Sequence, residues 1–176
     1  MTKTKAAWSL RMLRAIILAV SLCFLASDGA PLSLSWDALQ GGKPFAIVTY
    51  LLVHGSLIHL LVNWISFGNL APGMTIRYGG VRAALVFFAT GAMGGLCALF
   101  MQPLLGMPTT YIVGCSGALC GWMGYALIDL MREKQGKTIG WFLVSIVLLS
   151  FAYPQASLVH LFGFLSGLFI SSTQPK

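Results

Sequence analysis

Apolar positions in this chain come in long runs, and the polar interruptions between them are short. The first run spans roughly Ala15 to Ala26, behind Lys3, Lys5, Arg11 and Arg14. Counted from Trp8, with the two arginines snorkelling, it makes a full span over 8–27. Its basic start, short apolar core and small residues "ASDGA" also resemble a signal peptide; the cleavage signal is weak, and we read a retained helix. Residues 28–43 carry Asp28, Asp37, Gly41, Gly42 and Lys43, a loop with room for a short interfacial helix. Pro44 to Met74 has no charge and is longer than one span. Its first part reads as loop entering the bilayer, and a helix follows over 56–71. "APGMTIRYGGVR" then reads as a turn. The uncharged stretch Ala83 to Ile128 is broken by "QPLLGMPTT", which predicts helices over 82–101 and 115–130. After the charged loop "DLMREKQGK", a break at "YPQ" separates helices over 138–153 and 157–173. The expectation is an all-α membrane protein, a six-transmembrane-helix bundle with a partly membrane-embedded first loop. It forms a single domain over 1–176, with no soluble module.

Composition supports this reading. Of 176 residues, 57% are hydrophobic and 9% charged, with a mean hydropathy of +0.84; a soluble domain carries about 25% charged residues. The net charge of +7 would point to nucleic acid in a soluble protein. Here every basic residue except Lys43 lies at the N-terminus, in the 77–82 turn, in the 129–137 loop or at Lys176. That asymmetry follows the positive-inside rule and places both termini in the cytoplasm, with no nucleic-acid partner. Arg77, Arg82 and the 132–137 cluster read as topology determinants in contact with anionic lipid. Trp64, Trp122 and Trp141 read as lipid-facing or interfacial. Cys23, Cys97, Cys115 and Cys120 lie in apolar runs without CxxC spacing, so neither a disulfide framework nor a zinc site is expected.

The predicted topology has a chemical consequence. His54, His59 and His160 all fall on the outer side at similar depth, with Asn63 one turn below His59 and Ser116 at the start of the fourth helix. Ionisable residues inside membrane segments are costly and mark function. A serine needs a base to take its proton, and histidine is the usual one. Free N–H groups at a helix N-terminus, and an asparagine amide, can hold an oxyanion. Gly117 and Gly121, and Gly163 and Gly167, are small-xxx-small pairs that let helices approach closely; with Gly114 they flank the candidate site. No acid lies at that depth, so the site reads as a Ser–His dyad. Taken alone, Ser116 between Gly114 and Gly117 would be a packing residue, and His54 a loop residue holding backbone carbonyls. A metal site is not expected: no HExxH and no nearby carboxylate accompany the histidines. No cofactor is implied.

Three motifs carry a resemblance. "GCSG" (114–117), "HLFGFLSG" (160–167) and "HGSLIHLLVN" (54–63) resemble the GxSG, HxxGxxxG and double-histidine-asparagine motifs of the rhomboid family of intramembrane serine proteases. The match runs from about residue 44 to the end. It implies that Ser116 is the nucleophile and His160 the general base, and that His59, Asn63 and the Ser116 backbone line the oxyanion hole. The implied substrates are transmembrane proteins. The implied setting is a bacterial inner (plasma) membrane, with the site opening to the outer side. Four residues, at three places, depart from the family pattern. Phe45-Ala46 stands where many members have Trp-Arg, Thr75 where an acid is common, and Cys120 where an aromatic often packs on the histidine. The small size also resembles rhombosortases, and the residues do not separate the two branches. A catalytically silent relative that binds membrane clients is the alternative; such a relative is expected to have lost Ser116 or His160, and both are present.

Overall fold

The computed structural model describes residues 14–15, 17–19, 21–22, 32–108, 111–152 and 156–174, with backbone alone over 147–152. The limits of the first predicted helix, the "ASDGA" stretch and the "YPQ" break lie outside these residues. The described residues between 14 and 22 are helical. Then follow α1 (Trp36–Gln40), α2 (Ala46–Thr49) with a 3₁₀ turn (Tyr50–Leu52), α3 (Leu57–Tyr78), α4 (Gly80–Leu104), α5 (Ser116–Arg132), α6 (Gly136–Ala152) and α7 (Ser157–Ser172). The fold is all-α. The β-type pairing among the described residues is a single antiparallel bridge, Leu34 to Ile112.

Local chemistry sets the helix ends. Ser56 is extended (φ −158°, ψ 160°), and its Oγ accepts from His59 N at 3.1 Å, capping α3. The chain turns sharply there: Ala46–Leu52 and Leu57–Tyr78 meet at 91° and are long and apolar enough to span a membrane only as a pair. Gly80–Leu104 meets that test by itself. One sequence expectation needs correcting. The helix predicted to end at 71 continues to Tyr78 through Pro72. Proline removes one ladder donor, but Ala71 and Met74 are buried and hold the helix to the bundle. Thr75 Oγ1 donates to Ala71 O at 2.7 Å in the same turn. The break to α4 is one residue, Gly79, at φ 82°.

The interior is polar for a helical bundle, and the exterior is apolar. His54, Asn63, Thr90, Ser116 and His160 are buried, whereas Ile58, Ile76, Leu104 and Trp141 are each more than two-thirds exposed. The core is still mainly apolar, and the exposure of so many large apolar side chains is what departs from a soluble surface. At the centre stands α5, buried on every side from Ser116 to Ala126. It packs against α7 and α4. Trp122 corrects a second expectation: it is wholly buried instead of lipid-facing. Its indole N–H donates to Ala83 O at 2.8 Å, and its ring meets Phe87 and Phe67 at 5.0 and 5.3 Å. A buried indole needs an acceptor for its N–H, and α4 supplies one.

α3, α5 and α7 all start at the same end of the bundle, and α4 and α6 run back between them. The far end of α3 and α5 carries a charged clasp. Arg77 forks onto Glu133 at 2.6 and 2.8 Å, and Tyr78 Oη donates to Asp129 at 2.9 Å. Arg77 holds the Glu133 carboxyl below the usual glutamate range. Arg77 thus also pairs within the chain, with its side chain still 31% exposed.

Candidate active site

Ser116 is the first residue of α5, and the loop leading to it has little room for side chains. Gly114 sits at φ 101°, where glycine is favoured. A Cβ there would also lie 2.6 Å from the His59 ring. Gly114 N donates to Tyr50 O at 2.9 Å. Tyr50 is itself buried, its hydroxyl donating to Gly91 O at 2.6 Å, and its ring fills the notch over Gly95. The bridge between Leu34 and Ile112 (3.0 and 2.7 Å) ties the same loop to the first loop. Sequence reasoning missed Tyr50. The available signal was Gly91 and Gly95, one turn apart on α4, a gap that Leu51 and Tyr50 fill.

The seam between α5 and α7 is made of glycine. A Cβ on Gly163 would enter the Gly117 carbonyl, and one on Gly167 would enter the Gly121 carbonyl. Gly124, which the motifs do not single out, meets the Phe164 carbonyl in the same way. Gly121 also faces Thr90 of α4. Without side chains between them the backbones approach closely. Across this seam His160 Nε2 lies 2.8 Å from Ser116 Oγ. The two residues are 1% and 3% exposed.

A cleft of about 320 Å3 opens beside the pair, lined in part by Gly55, Ser56, His59, Gln102, Val113 and Ser116. Asn63 and His160 sit behind this lining. Cys115, at the N-cap of α5, makes no capping bond with its side chain. The helix ladder opens with Leu119 N to Cys115 O at 3.0 Å. The N–H groups of Ser116, Gly117 and Ala118 therefore lie outside the ladder. Asn63 Nδ2 donates to His59 O at 2.9 Å, and its Oδ1 accepts from Cys115 Sγ at 3.5 Å. A carbonyl can accept only from the nitrogen side, so the short contact fixes which way the amide faces.

His54 corrects a third expectation. Its ring bonds a side chain, not a backbone carbonyl: Nδ1 lies 2.8 Å from Ser21 Oγ, and it is Ser21 that donates to Leu52 O at 2.7 Å. His54 meets His59 edge-on at 5.0 Å but does not line the cleft. The structure thus brings Ser116, His160, His59, Asn63, Gly114, Gly117 and Gly163 together, with Gly121 and Gly167 further along the seam. A hydroxyl with an imidazole nitrogen in reach, beside a cleft and unpaired helix N–H groups, has the parts of an acyl-transfer centre.

The Rhomboid domain family model matches residues 41–174. The chain is 30% identical over 141 residues to YdcA of Bacillus subtilis (strain 168), a protein carrying a provisional rhomboid-protease name; the match covers 76% of this chain and 68% of YdcA. It is 28% identical to RHOMBOID-like protein 6, mitochondrial, of Arabidopsis thaliana, over 82% of this chain and 49% of that protein. Rhomboid-like protease 3 of Toxoplasma gondii is 27% identical over 74% of this chain and 52% of its own length. The chain thus spans about two thirds of the first relative and about half of the other two.

Proposed function

The chain belongs to the rhomboid family, and on that premise we propose that it is an intramembrane serine protease that cuts peptide bonds in or near transmembrane segments of other proteins. Membership makes it an integral membrane protein. The observation that carries the catalytic reading is the 2.8 Å contact between His160 Nε2 and Ser116 Oγ across the glycine seam.

In this reading His160 Nε2 takes the Ser116 proton as Oγ attacks the substrate carbonyl. The oxygen of the tetrahedral intermediate is held by N–H groups at the start of α5 together with His59 and Asn63. The C–N bond then breaks, and His160 returns the proton to the departing amine. Water reaches the acyl-enzyme through the cleft, His160 accepts its proton, and Ser116 is released. The α5 N-terminus favours the developing negative charge. A substrate helix must unwind before its carbonyl is exposed, because its backbone groups are paired within the helix. The basic residues Arg77, Arg82, Arg132, Lys134 and Lys137 gather toward the far end of the bundle, so we place that end and both termini in the cytoplasm of a bacterium. The cleft then opens to the outer side of its plasma membrane.

The test is fluorophosphonate labelling of the protein in liposomes, run beside cleavage of a single-span membrane substrate. Wild type should label and cut, and Ser116→Ala should do neither. A folded wild type that takes up no label and cuts nothing would leave the client-binding reading in its place.

A further inference from the structure

The residue just before Ser116 is held in a network that the reaction described above does not use. Cys115 is 1% exposed. At an N-cap, a side chain ordinarily turns back to its own helix; this one turns away and reaches across to α3. Its Sγ lies 3.5 Å from Asn63 Oδ1 and 3.8 Å from His54 Nε2. Proton counting orders these contacts. Ser21 has one hydroxyl proton and gives it to Leu52 O. Ser21 Oγ therefore accepts from His54 Nδ1–H. In the neutral ring His54 Nε2 then carries no proton. The thiol thus faces two acceptors, and its single proton is the donor available between them. Asn63 is held at both ends of its amide, by the His59 carbonyl on nitrogen and by the Cys115 thiol on oxygen. Its second amide hydrogen has no partner among the described residues.

We propose that Cys115 is a positioning residue, whose S–H holds the Asn63 amide so that its remaining N–H stays aimed at the oxyanion. The proposal rests on the reading of Asn63 as an oxyanion donor. Ser21 completes it from behind: by accepting from His54 Nδ1 it leaves Nε2 as an acceptor that lies farther from the thiol, at 3.8 Å, than Asn63 Oδ1 at 3.5 Å. Turning the thiol away from α5 also leaves the N–H groups at the head of that helix open.

Two measurements test this. The first is the infrared S–H stretch, isolated as wild type minus Cys115→Ser. It should lie below that of Cys120, a buried thiol on the same helix with no hydrogen bond among the described residues, and should rise in Asn63→Ala. Equal frequencies for the two thiols would overturn the proposal whatever the kinetics show. The second is a kinetic cycle in liposomes. Cys115→Ala should lower kcat roughly five-fold, the worth of one neutral hydrogen bond, at unchanged KM and with a lowered melting temperature. Cys115→Ser should restore most of it, and Cys115→Ala should add nothing in the Asn63→Ala background. If Asn63→Ala lowers kcat but Cys115→Ala does not, or if the two losses multiply, Cys115 does not act through Asn63. If Asn63→Ala keeps full turnover, the oxyanion reading of Asn63 falls first and this proposal with it.

Discussion

α5 and α6 are both 17 residues long and adjacent in the chain. α6 is the more apolar of the two, yet none of its described side chains is buried. α5 carries a serine, three glycines and a charged last turn, and is buried without interruption over its first eleven residues. In water this ordering would be perverse. In a bilayer, lipid tails solvate leucine as well as a protein interior does, so apolar area does not decide which helix goes inside. Close approach and satisfied polar groups decide it. The glycines state the difference most simply. A Cβ at Gly117, Gly121 or Gly124 meets neighbouring atoms, whereas one at Gly136 or Gly140 meets nothing within 4 Å.

The comparison can be broken most severely at the head of α5. Ser116→Ala and His160→Ala should each reduce cleavage by about four orders of magnitude or more, and the double variant should be no worse than either, because residues acting as a unit are strongly non-additive. No substitution in α6 should approach this. A proteoliposome cleavage assay decides it; additive losses would separate the two residues.

Next in size is the seam. Gly124→Ala and Gly163→Ala each drive a methyl into a backbone carbonyl, and overpacking of this kind costs about 1–3 kcal/mol. Both should lower the melting temperature in detergent and, for Gly163, turnover as well, since the seam sets the distance from His160 to Ser116. Gly140→Ala, the same change on α6, should be neutral or stabilise by up to about 1 kcal/mol through helix propensity. Equal effects at Gly124 and Gly140 would remove close packing as the distinction.

Tryptophan sharpens the same contrast on a smaller scale. Trp122→Phe removes the indole N–H bond to the Ala83 carbonyl and opens a void at a wholly buried site, and should cost about 1–3 kcal/mol. Trp141→Phe, at a side chain 71% exposed, should stay within about 0.5 kcal/mol. Thermal melts of the two variants in one detergent give the comparison directly.

The smallest effect belongs to the far end of α5. Glu133 is held below its ordinary value of 4.5 by the Arg77 fork. A depressed acid stabilises the fold above its unfolded pKa, and that contribution fades as pH falls through the lower folded value. Stability should therefore show a slight acid limb below about pH 4.5 that Glu133→Gln lacks. High salt should shrink it, as it does for exposed pairs.

What the sequence determined by itself was what local pattern and topology can carry. Apolar run lengths and their proline and charge breaks marked the helical stretches. Alternation of loop charge, with the order of motifs, brought Ser116, His160, His59 and Asn63 to one end of the bundle. The paired glycines indicated which helices would touch. The rest was decided only in three dimensions. The extension of α3 past Pro72 depends on Ala71 and Met74 finding burial, which no local rule supplies. Trp122 turned inward because an acceptor on Ala83, 39 residues away in the chain, was there to receive its N–H. Tyr50 beneath Gly114, and Cys115 between His54 and Asn63, make long-range hydrogen-bonded contacts although Tyr50 and Cys115 themselves look like ordinary members of apolar runs. When lipid solvates the outside, hydrophobicity places residues in the membrane and says little about which of them face one another; partners for N–H, O–H and S–H groups settle that, and those partners are set by the packed fold.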